Sequence, residues 1–539
     1  MSILSTCQAP PPEGWVSVGE YEARFVAQPA NTSPVARTRA QGLSRTVYPD
    51  ITVECEESGG HVIQESLFLP PTQEYPWKKA WNTMWDDGLL PALEGLEEDT
   101  NESDHEGTAT RLALGVLQYI RKAQSLYEYI WRDRKMTVMA VAGKYSHINQ
   151  WEQSIVRAMA LHPKLPYIAI ARQDDRIEVR SLNEADHRVL LRDKKQVGVI
   201  CMQWAPHCDQ LLAVGSTTSV LLWHLDPTAP CSRFLTTWVR VECSPGHAPI
   251  SSLSWSPQGN FLVSASPSDS NLVVWDIPMG VATKVQRSKG GGVTDVCWSP
   301  DGGRVFAGCR TSLFRVWETL KWSCEKWTNS TGRCKAACWS PEGDLLLFAL
   351  EGDPSLYYIC FRGNDLAAGS TSAIKCADLT PCTLLGESGM EYLVGGCVQD
   401  MCWDCTGERL AIIFTSDGPC GDLVVVLRTR TSHLLDILPG GFIRGQEGEV
   451  PLTVSFKPGY IEGALLVIVW SSGRISFTPL CFQSPLSMAT PIFPPEQLTP
   501  LTSIQRTPRL TRPALGVSVR ANHTPLYHTP LYSAELNSH

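Results

Sequence analysis

Between residues 156 and 480 apolar and polar positions alternate in short runs, and one phrase recurs. An alternating run ends in Trp-x-Pro, a turn follows, and about nineteen residues later a second apolar run ends in Trp or Tyr. One clear copy runs from Val293 through Trp298-Ser299-Pro300-Asp301-Gly302 to Phe314-Arg315-Val316-Trp317. Another runs from Ile250 through Trp255-Ser256-Pro257-Gln258-Gly259 to Leu272-Val273-Val274-Trp275-Asp276. Each reads as strand, tight turn, strand, turn, strand. The first anchor recurs at Leu161, Trp204, Trp255, Trp298, Trp339, Trp403 and Phe456, with proline two residues on except after Trp403, where Cys405 stands. The second recurs at Val179, Trp223, Trp275, Trp317, Tyr358, Leu427 and Phe477. Seven copies thus follow one another at intervals of 41 to 64 residues.

A four-stranded antiparallel blade of about 40 residues has two apolar faces it cannot bury alone, so blades stack radially until the last meets the first. Seven copies predict an all-β fold, a seven-bladed WD-repeat β-propeller over residues 151–481. Leu253 and Trp255 alternating with Ser252 and Ser254 fit period-two strands, and the Pro-Asp-Gly or Pro-Glu-Gly turns preset one φ and then supply a positive one. One copy carries His247, Ser264, Asp269 and Trp275, placed to tie the strands of a blade together; the other copies lack most of this set. These four read as a structural network, and Trp204, Trp223, Trp255, Trp298, Trp317, Trp339 and Trp403 as structural blade anchors.

Outside the repeats, residues 15–26 alternate like a strand within an N-terminal segment, 1–71. A strand from the far end of the chain can complete the last blade and pair both open edges. Residues 72–150 predict a helical segment: 75–90 places Trp77, Trp81, Met84 and Trp85 on one side, and 108–135 spaces Leu112, Val116, Ile120, Ala123, Tyr127 and Ile130 by threes and fours. Between them residues 94–106 hold seven acidic residues and no apolar period, which predicts a linker. The helices are expected to pack on the ring, with display of the tryptophans to a partner as the other reading. Residues 482–539, rich in Pro, Ser and Thr, predict a disordered tail. Its Thr-Pro pairs at Thr490, Thr499, Thr507, Thr524 and Thr529 are candidate phosphorylation sites beside Arg506, Arg509 and Arg512.

The net charge of −9 argues against broad electrostatic binding of nucleic acid, which demands a concentrated basic face. The longest apolar run, Ala464–Trp470, is far short of the ~20 residues that span a bilayer. With no signal-like start, a cytosolic or nuclear protein is expected, any membrane association being indirect. The nineteen cysteines then read as reduced thiols. Cys397, Cys402 and Cys405 lack a second Cys pair or a spaced His pair, so no metal is expected. No nucleophile elbow, zinc-binding helix motif or phosphate loop is present, and neither catalytic residues nor a cofactor are predicted.

Several stretches go beyond a generic repeat. They are Gly290-Gly291-Gly292-Val293-Thr294, Arg315-Val316-Trp317-Glu318, Trp322-Ser323-Cys324-Glu325 and Gly332-Arg333-Cys334, with Trp223-His224-Leu225-Asp226-Pro227-Thr228 and Trp470-Ser471-Ser472-Gly473-Arg474-Ile475. In this order they resemble the aladin family of WD-repeat nucleoporins across nearly the whole chain. The resemblance implies a non-catalytic scaffold or adaptor of the nuclear pore complex at the nuclear envelope, held by an integral pore-membrane nucleoporin among other pore proteins. It further implies a part in nucleocytoplasmic transport and a place at spindle poles in mitosis. The alternative is a substrate receptor of a cullin-type ubiquitin ligase, but Trp275-Asp276-Ile277-Pro278 lacks the arginine such receptors carry, and Trp317-Glu318 lacks the aspartate.

Overall fold

A computed structural model of the protein describes residues 2–21, 23–30, 48–53, 137–183, 188–225, 238–285, 291–328, 332–361, 373–386, 389–416, 418–431 and 435–482. The N-terminal part contributes β1 (Trp15–Tyr21), β2 (Arg24–Pro29) and the two-residue β3 (Ile51–Thr52); a helix, α1 (Val138–Tyr145), leads into the ring. Blade 1 is β4 (Val156–Leu161), β5 (Tyr167–Arg172), β6 (Ile177–Ser181) and β7 (Arg188–Leu191). Blade 2 is β8 (Cys201–Trp204), β9 (Leu211–Gly215), β10 (Val220–His224) and β11 (Trp238–Glu242). Blade 3 is β12 (Ser252–Trp255), β13 (Phe261–Ala265), β14 (Leu272–Asp276) and β15 (Val281–Val285). Blade 4 is β16 (Val293–Trp298), β17 (Arg304–Cys309), β18 (Leu313–Glu318) and β19 (Ser323–Thr328). Blade 5 is β20 (Cys334–Trp339), β21 (Leu345–Leu350), β22 (Ser355–Cys360) and β23 (Ile374–Asp378), followed by a separate hairpin of β24 (Cys382–Leu385) and β25 (Glu391–Val394). Blade 6 is β26 (Val398–Trp403), β27 (Arg409–Phe414), β28 (Leu423–Arg430) and β29 (Asp436–Arg444). Blade 7 has only three strands of its own, β30 (Pro451–Lys457), β31 (Ala464–Trp470) and β32 (Arg474–Cys481). The fold is a seven-bladed β-propeller in which first strands of successive blades touch, so they form the inner wall.

Register explains the anchors. Trp298 pairs with Val305 and Val305 with Trp317, so both indoles project from one face of blade 4 and pack on Val263, Ala265 and Val274 of blade 3. Trp204 with Trp223 packs on blade 1, and Trp255 with Trp275 on blade 2, in the same sense. Blades 2, 3 and 4 therefore each fill the preceding blade's small-residue face with a pair of large rings, which is how blades with two apolar faces stack without voids.

Three second anchors read from the sequence lie one residue out of register. The partner rung of Trp339 runs through Leu346 to Ile359, not Tyr358; that of Phe456 runs through Leu466 to Thr478, not Phe477; that of Leu161 runs through Ile168 to Arg180, not Val179. A one-residue step reverses the face. Tyr358 accordingly packs toward blade 6 and Phe477 toward blade 1, opposite in sense to the tryptophans.

Closure is also more elaborate than one strand over 15–26. The chain turns back at Ala23, whose φ is +64°, and β1 and β2 form a hairpin. The β1 strand pairs in parallel with the end of β32 at Glu20 and Tyr21, while β3 pairs antiparallel with its start at Ile51 and Thr52. Two buried arginines clamp the joints. Arg409 of blade 6 makes a bidentate pair with Glu20 at 2.8 and 2.9 Å, the two side chains being 6% and 0% exposed. Arg474 of blade 7 binds Glu449 at 2.5 Å and Asp50, just before β3, at 2.8 Å. Further along, Gln8 holds both the N–H and the carbonyl of Phe25, and Ser2 donates to the Asp378 carbonyl of blade 5. Residues 2–30 thus strap blades 5, 6 and 7 from outside.

Removing one partner of a buried ion pair strands the other charge. Glu20→Ala is expected to cost ~3–5 kcal/mol in urea unfolding, and adding Arg409→Met to recover part of the loss. A cost below about 1 kcal/mol for Glu20→Ala would show that closure does not depend on this pair.

Candidate functional site: the capped mouth of the ring

The four polar residues read as a network all belong to blade 3 and its preceding loop. His247 Nδ1 lies 3.2 Å from Asp269 Oδ2, His247 Nε2 lies 2.9 Å from Ser264 Oγ, and Trp275 Nε1–H donates to the same Ser264 oxygen at 2.9 Å. Burial lowers the His247 pKa against the pull of Asp269, favouring a neutral ring. One directional chain satisfies every atom: the indole donates to the hydroxyl, the hydroxyl to Nε2, and Nδ1–H to the carboxylate.

The other anchor indoles find separate acceptors. Trp204, Trp255 and Trp339 donate to the Ala160, Gln203 and Cys297 carbonyls of the preceding inner strands. Trp298 reaches its own turn at Gly302, Trp403 reaches Thr429, and Trp223 reaches Gln196. Trp317 Nε1 is buried with no acceptor among the described residues. The five Thr-Pro threonines, Thr490, Thr499, Thr507, Thr524 and Thr529, and both expected helices over 75–90 and 108–135 lie outside the described residues.

The sequence pattern did not disclose what lies over one mouth of the ring, on the face bearing the turns between second and third strands. Thr137 accepts from the Ala140 N–H and so starts α1, and the loop after it runs to residue 154 across several blades. Trp151, fully buried, donates to the Val199 carbonyl at 3.0 Å between blades 1 and 2, under the Arg157 guanidinium 4.6 Å away. Across the ring, His147 Nε2 lies 3.2 Å from Asp295 on the inner strand of blade 4, and the His147 carbonyl accepts from Gln399 of blade 6. Ser252 of blade 3 donates to Asp295 at 2.8 Å, and Thr453 of blade 7 donates to Asp400 at 3.0 Å.

A repeated irregularity of the inner wall builds this surface. Five first strands bulge at one place, leaving Arg157, Thr294, Lys335, Gln399 and Leu452 outside the ladder. A bulge re-aims side chains, and here it delivers Arg157 to Trp151 and Gln399 to His147. The available signal was chemical rather than periodic: Asp295 and Asp400 are carboxylates set third in the inner strands of blades 4 and 6.

Charge fastens the cap. Burial alone would lower the His147 imidazole, but Asp295, aided by Asp400, raises it to about 9 against the opposing field of Lys335. Burial would raise Asp295, yet His147 and Ser252 bring it below its ordinary value, whereas burial keeps Asp400 raised. Lys335, desolvated and beside Arg333, falls to about 8. Inner-wall thiols are inert by the same desolvation, Cys297 rising to about 12 and Cys402 well above its ordinary value. Among the described residues no group of three His, Cys, Asp or Glu is arranged to hold a metal.

Two measurements follow from this geometry. Trp275→Phe is expected to cost about 1 kcal/mol more than Trp317→Phe, because only the former takes a donor from a buried acceptor; equal costs would contradict the unpaired indole. The folded pKa of His147 lies above the unfolded ~6.5, so its stabilisation is complete below pH 6.5 and fades as pH rises through about 9. With the side chain 36% exposed and water screening it, the effect is on the order of 1–2 kcal/mol. The melting-temperature gap between the native chain and His147→Gln should therefore shrink from pH 6.5 to 9.5, and a constant gap would refute the assignment.

A family model of the aladin seven-bladed propeller matches residues 137–481, more than half the chain. Aladin of Arabidopsis thaliana is 28% identical over 356 residues, covering 61% of this chain and 76% of its own. Protein Rae1 of Drosophila melanogaster is 39% identical over 80 residues, covering 14% of this chain and 23% of its own. Coronin-7 of Bos taurus is 25% identical over 248 residues, covering 44% of this chain and 27% of its own. The family match begins at the residue that caps α1, so it takes in the capping segment together with all seven blades, and the chain belongs to the aladin family.

Proposed function

We propose that the chain is a non-catalytic scaffold of the nuclear pore complex at the nuclear envelope. It is held there by an integral pore-membrane nucleoporin, contributes to nucleocytoplasmic transport, and serves at spindle poles during division. The observation that carries this reading is family membership across ring and cap. The chemistry of the mouth agrees with it: His147, Trp151 and Gln399 each fasten one protein segment to another, and the Cys297 thiol is held protonated. Function then resides in surfaces of a rigid ring rather than in a reacting centre. The tail over 482–539 and the segments 1–71 and 72–150 supply further partner surfaces, with the Thr-Pro pairs of the tail as phosphorylation sites.

Imaging the tagged full chain together with proximity labelling tests the proposal. Nuclear-rim signal with labelled pore-membrane proteins is expected. Diffuse signal with enriched cullin adaptors would replace it by the ligase-receptor reading.

A further inference from the structure

Tyr145, the last residue of α1, is ringed by cations. The Lys144 ammonium lies 5.8 Å from the ring centroid, the Arg310 guanidinium 5.6 Å and the Arg333 guanidinium 5.0 Å. Arg310 stands in the β17–β18 turn and Arg333 just before β20, so cap and ring jointly build the cluster over blades 4 and 5. The cations are aimed rather than loose. Arg310 Nε donates to the Tyr145 hydroxyl at 3.1 Å and its Nη1 donates to the Pro267 carbonyl at 3.4 Å, while Arg333 Nε binds Glu351 at 2.8 Å.

Three positive charges around one ring repel, and Lys335 adds a fourth beside Arg333. The described carboxylates nearby are mostly committed elsewhere. Asp295 and Asp400 face His147, and Glu351 serves Arg333. Glu152 lies near α1 at Gly143, but no described carboxylate comes within ion-pair distance of Lys144 or Arg310, both of which are exposed. Two exposed cations, Lys144 and Arg310, backed by Arg333, whose side chain is 9% exposed and paired with Glu351, match an anionic ligand by electrostatic complementarity in a chain of net charge −9.

We propose that Lys144 and Arg310 over Tyr145, with Arg333 behind them, form a docking site for a carboxylate-rich peptide. Arginine forks bind carboxylates in two-point geometry, and the Tyr145 hydroxyl fixes the plane of Arg310 for it. The chain contains a segment of this chemistry: seven acids over residues 94–106. The stretch that holds them is bounded by Val53 and Thr137, and both stand on the face of the site. Val53 N–H donates to Gly473 in the β31–β32 turn, and Thr137 caps α1, seven residues before Lys144. The charge pattern therefore favours this chain's own acids as the occupant, and a partner's acidic peptide would use the same contacts.

The probe is a fluorescent synthetic peptide with the sequence of residues 92–108, followed by anisotropy at low and moderate salt. It is added to the full chain and to a full chain whose seven acids over 94–106 are changed to amides. Tighter binding to the amide-substituted chain identifies the occupant as internal. Equal, salt-sensitive binding to both still supports the site and assigns it to a partner. Lys144→Gln/Arg310→Gln, in the amide background, should weaken binding at least about fivefold, with the far-UV circular dichroism of the ring unchanged. Lys321→Gln/Lys326→Gln, an equal loss of exposed charge elsewhere on blade 4, should not weaken it. Tyr145→Phe should give an intermediate loss, since it frees Arg310 while keeping the ring. No binding in the amide background, equal weakening by the Lys321/Lys326 pair, or stronger competition by a single-stranded oligonucleotide of matched charge would overturn the proposal.

Discussion

A propeller stands or falls on the joint between its last blade and its first. Each interface in this ring is half a core: Trp204 and Trp223 have no partner surface without blade 1, and blade 1 in turn packs Leu161, Ile168 and Ile170 against Val467, Val469 and Phe477 of blade 7. If blade 7 opens, two apolar faces meet water, and none of the other six interfaces can compensate for them. The chain completes that blade with two separate N-terminal strands, one at each end of β32, and locks both with buried arginine–carboxylate pairs. Such pairs add little net stability over apolar residues of the same size. Their value here is register. A one-residue slip of β1 would turn Glu20 to the opposite face and leave Arg409 buried without its counter-charge, so the wrong closure is penalised more than the right one is rewarded.

The ring was legible because its tryptophans report both period and face. Where an anchor is tryptophan on both strands, as in blades 2, 3 and 4, the rung predicted from spacing is the rung observed. Where the second tryptophan is missing, Leu427 of blade 6 still lies on the rung of Trp403, but in blades 5 and 7 the nearest large residue drew the reading one step off, to Tyr358 beside Ile359 and to Phe477 beside Thr478. Those strands are buried on both faces, all eight residues of β32 among them, so alternation vanishes and hydrophobicity alone cannot choose between neighbouring positions. The N-terminal hairpin was read as a single strand for a related reason: its turn uses Ala23 at positive φ instead of the glycine or asparagine that would have marked it.

The capping segment was illegible for a different cause. Residues 146–154 have no period, and each of their functional contacts, His147 to Asp295 and Trp151 to Val199, joins residues far apart in sequence. Bulges compound this, because an extra residue per strand changes which side chain meets the mouth while leaving composition untouched. The glycines of the Gly290-Gly291-Gly292 run illustrate the same limit. A Cβ on Gly292 would stand 1.7 Å from the Pro267 carbonyl oxygen, so the residue is glycine because a neighbouring blade passes there.

Ring and cap are thus held by different chemistries, and this bears on how the molecule can be both rigid and responsive. The ring rests on apolar burial, which salt and modest pH change barely touch. The cap rests on one buried indole at one side and, at the other, on a charged imidazole, two carboxylates and a set of arginines over Tyr145, all of which salt and pH do touch. A disturbance that loosens the second set leaves Trp151 seated over blades 1 and 2, so the segment would release from blades 4 to 6 first. Because the cations around Tyr145 sit on that same releasable side, an anion bound there neutralises their mutual repulsion and strengthens the hold of the cap. Ligand occupancy and cap seating are then linked by the same few charges, with the apolar ring as the fixed reference against which both act.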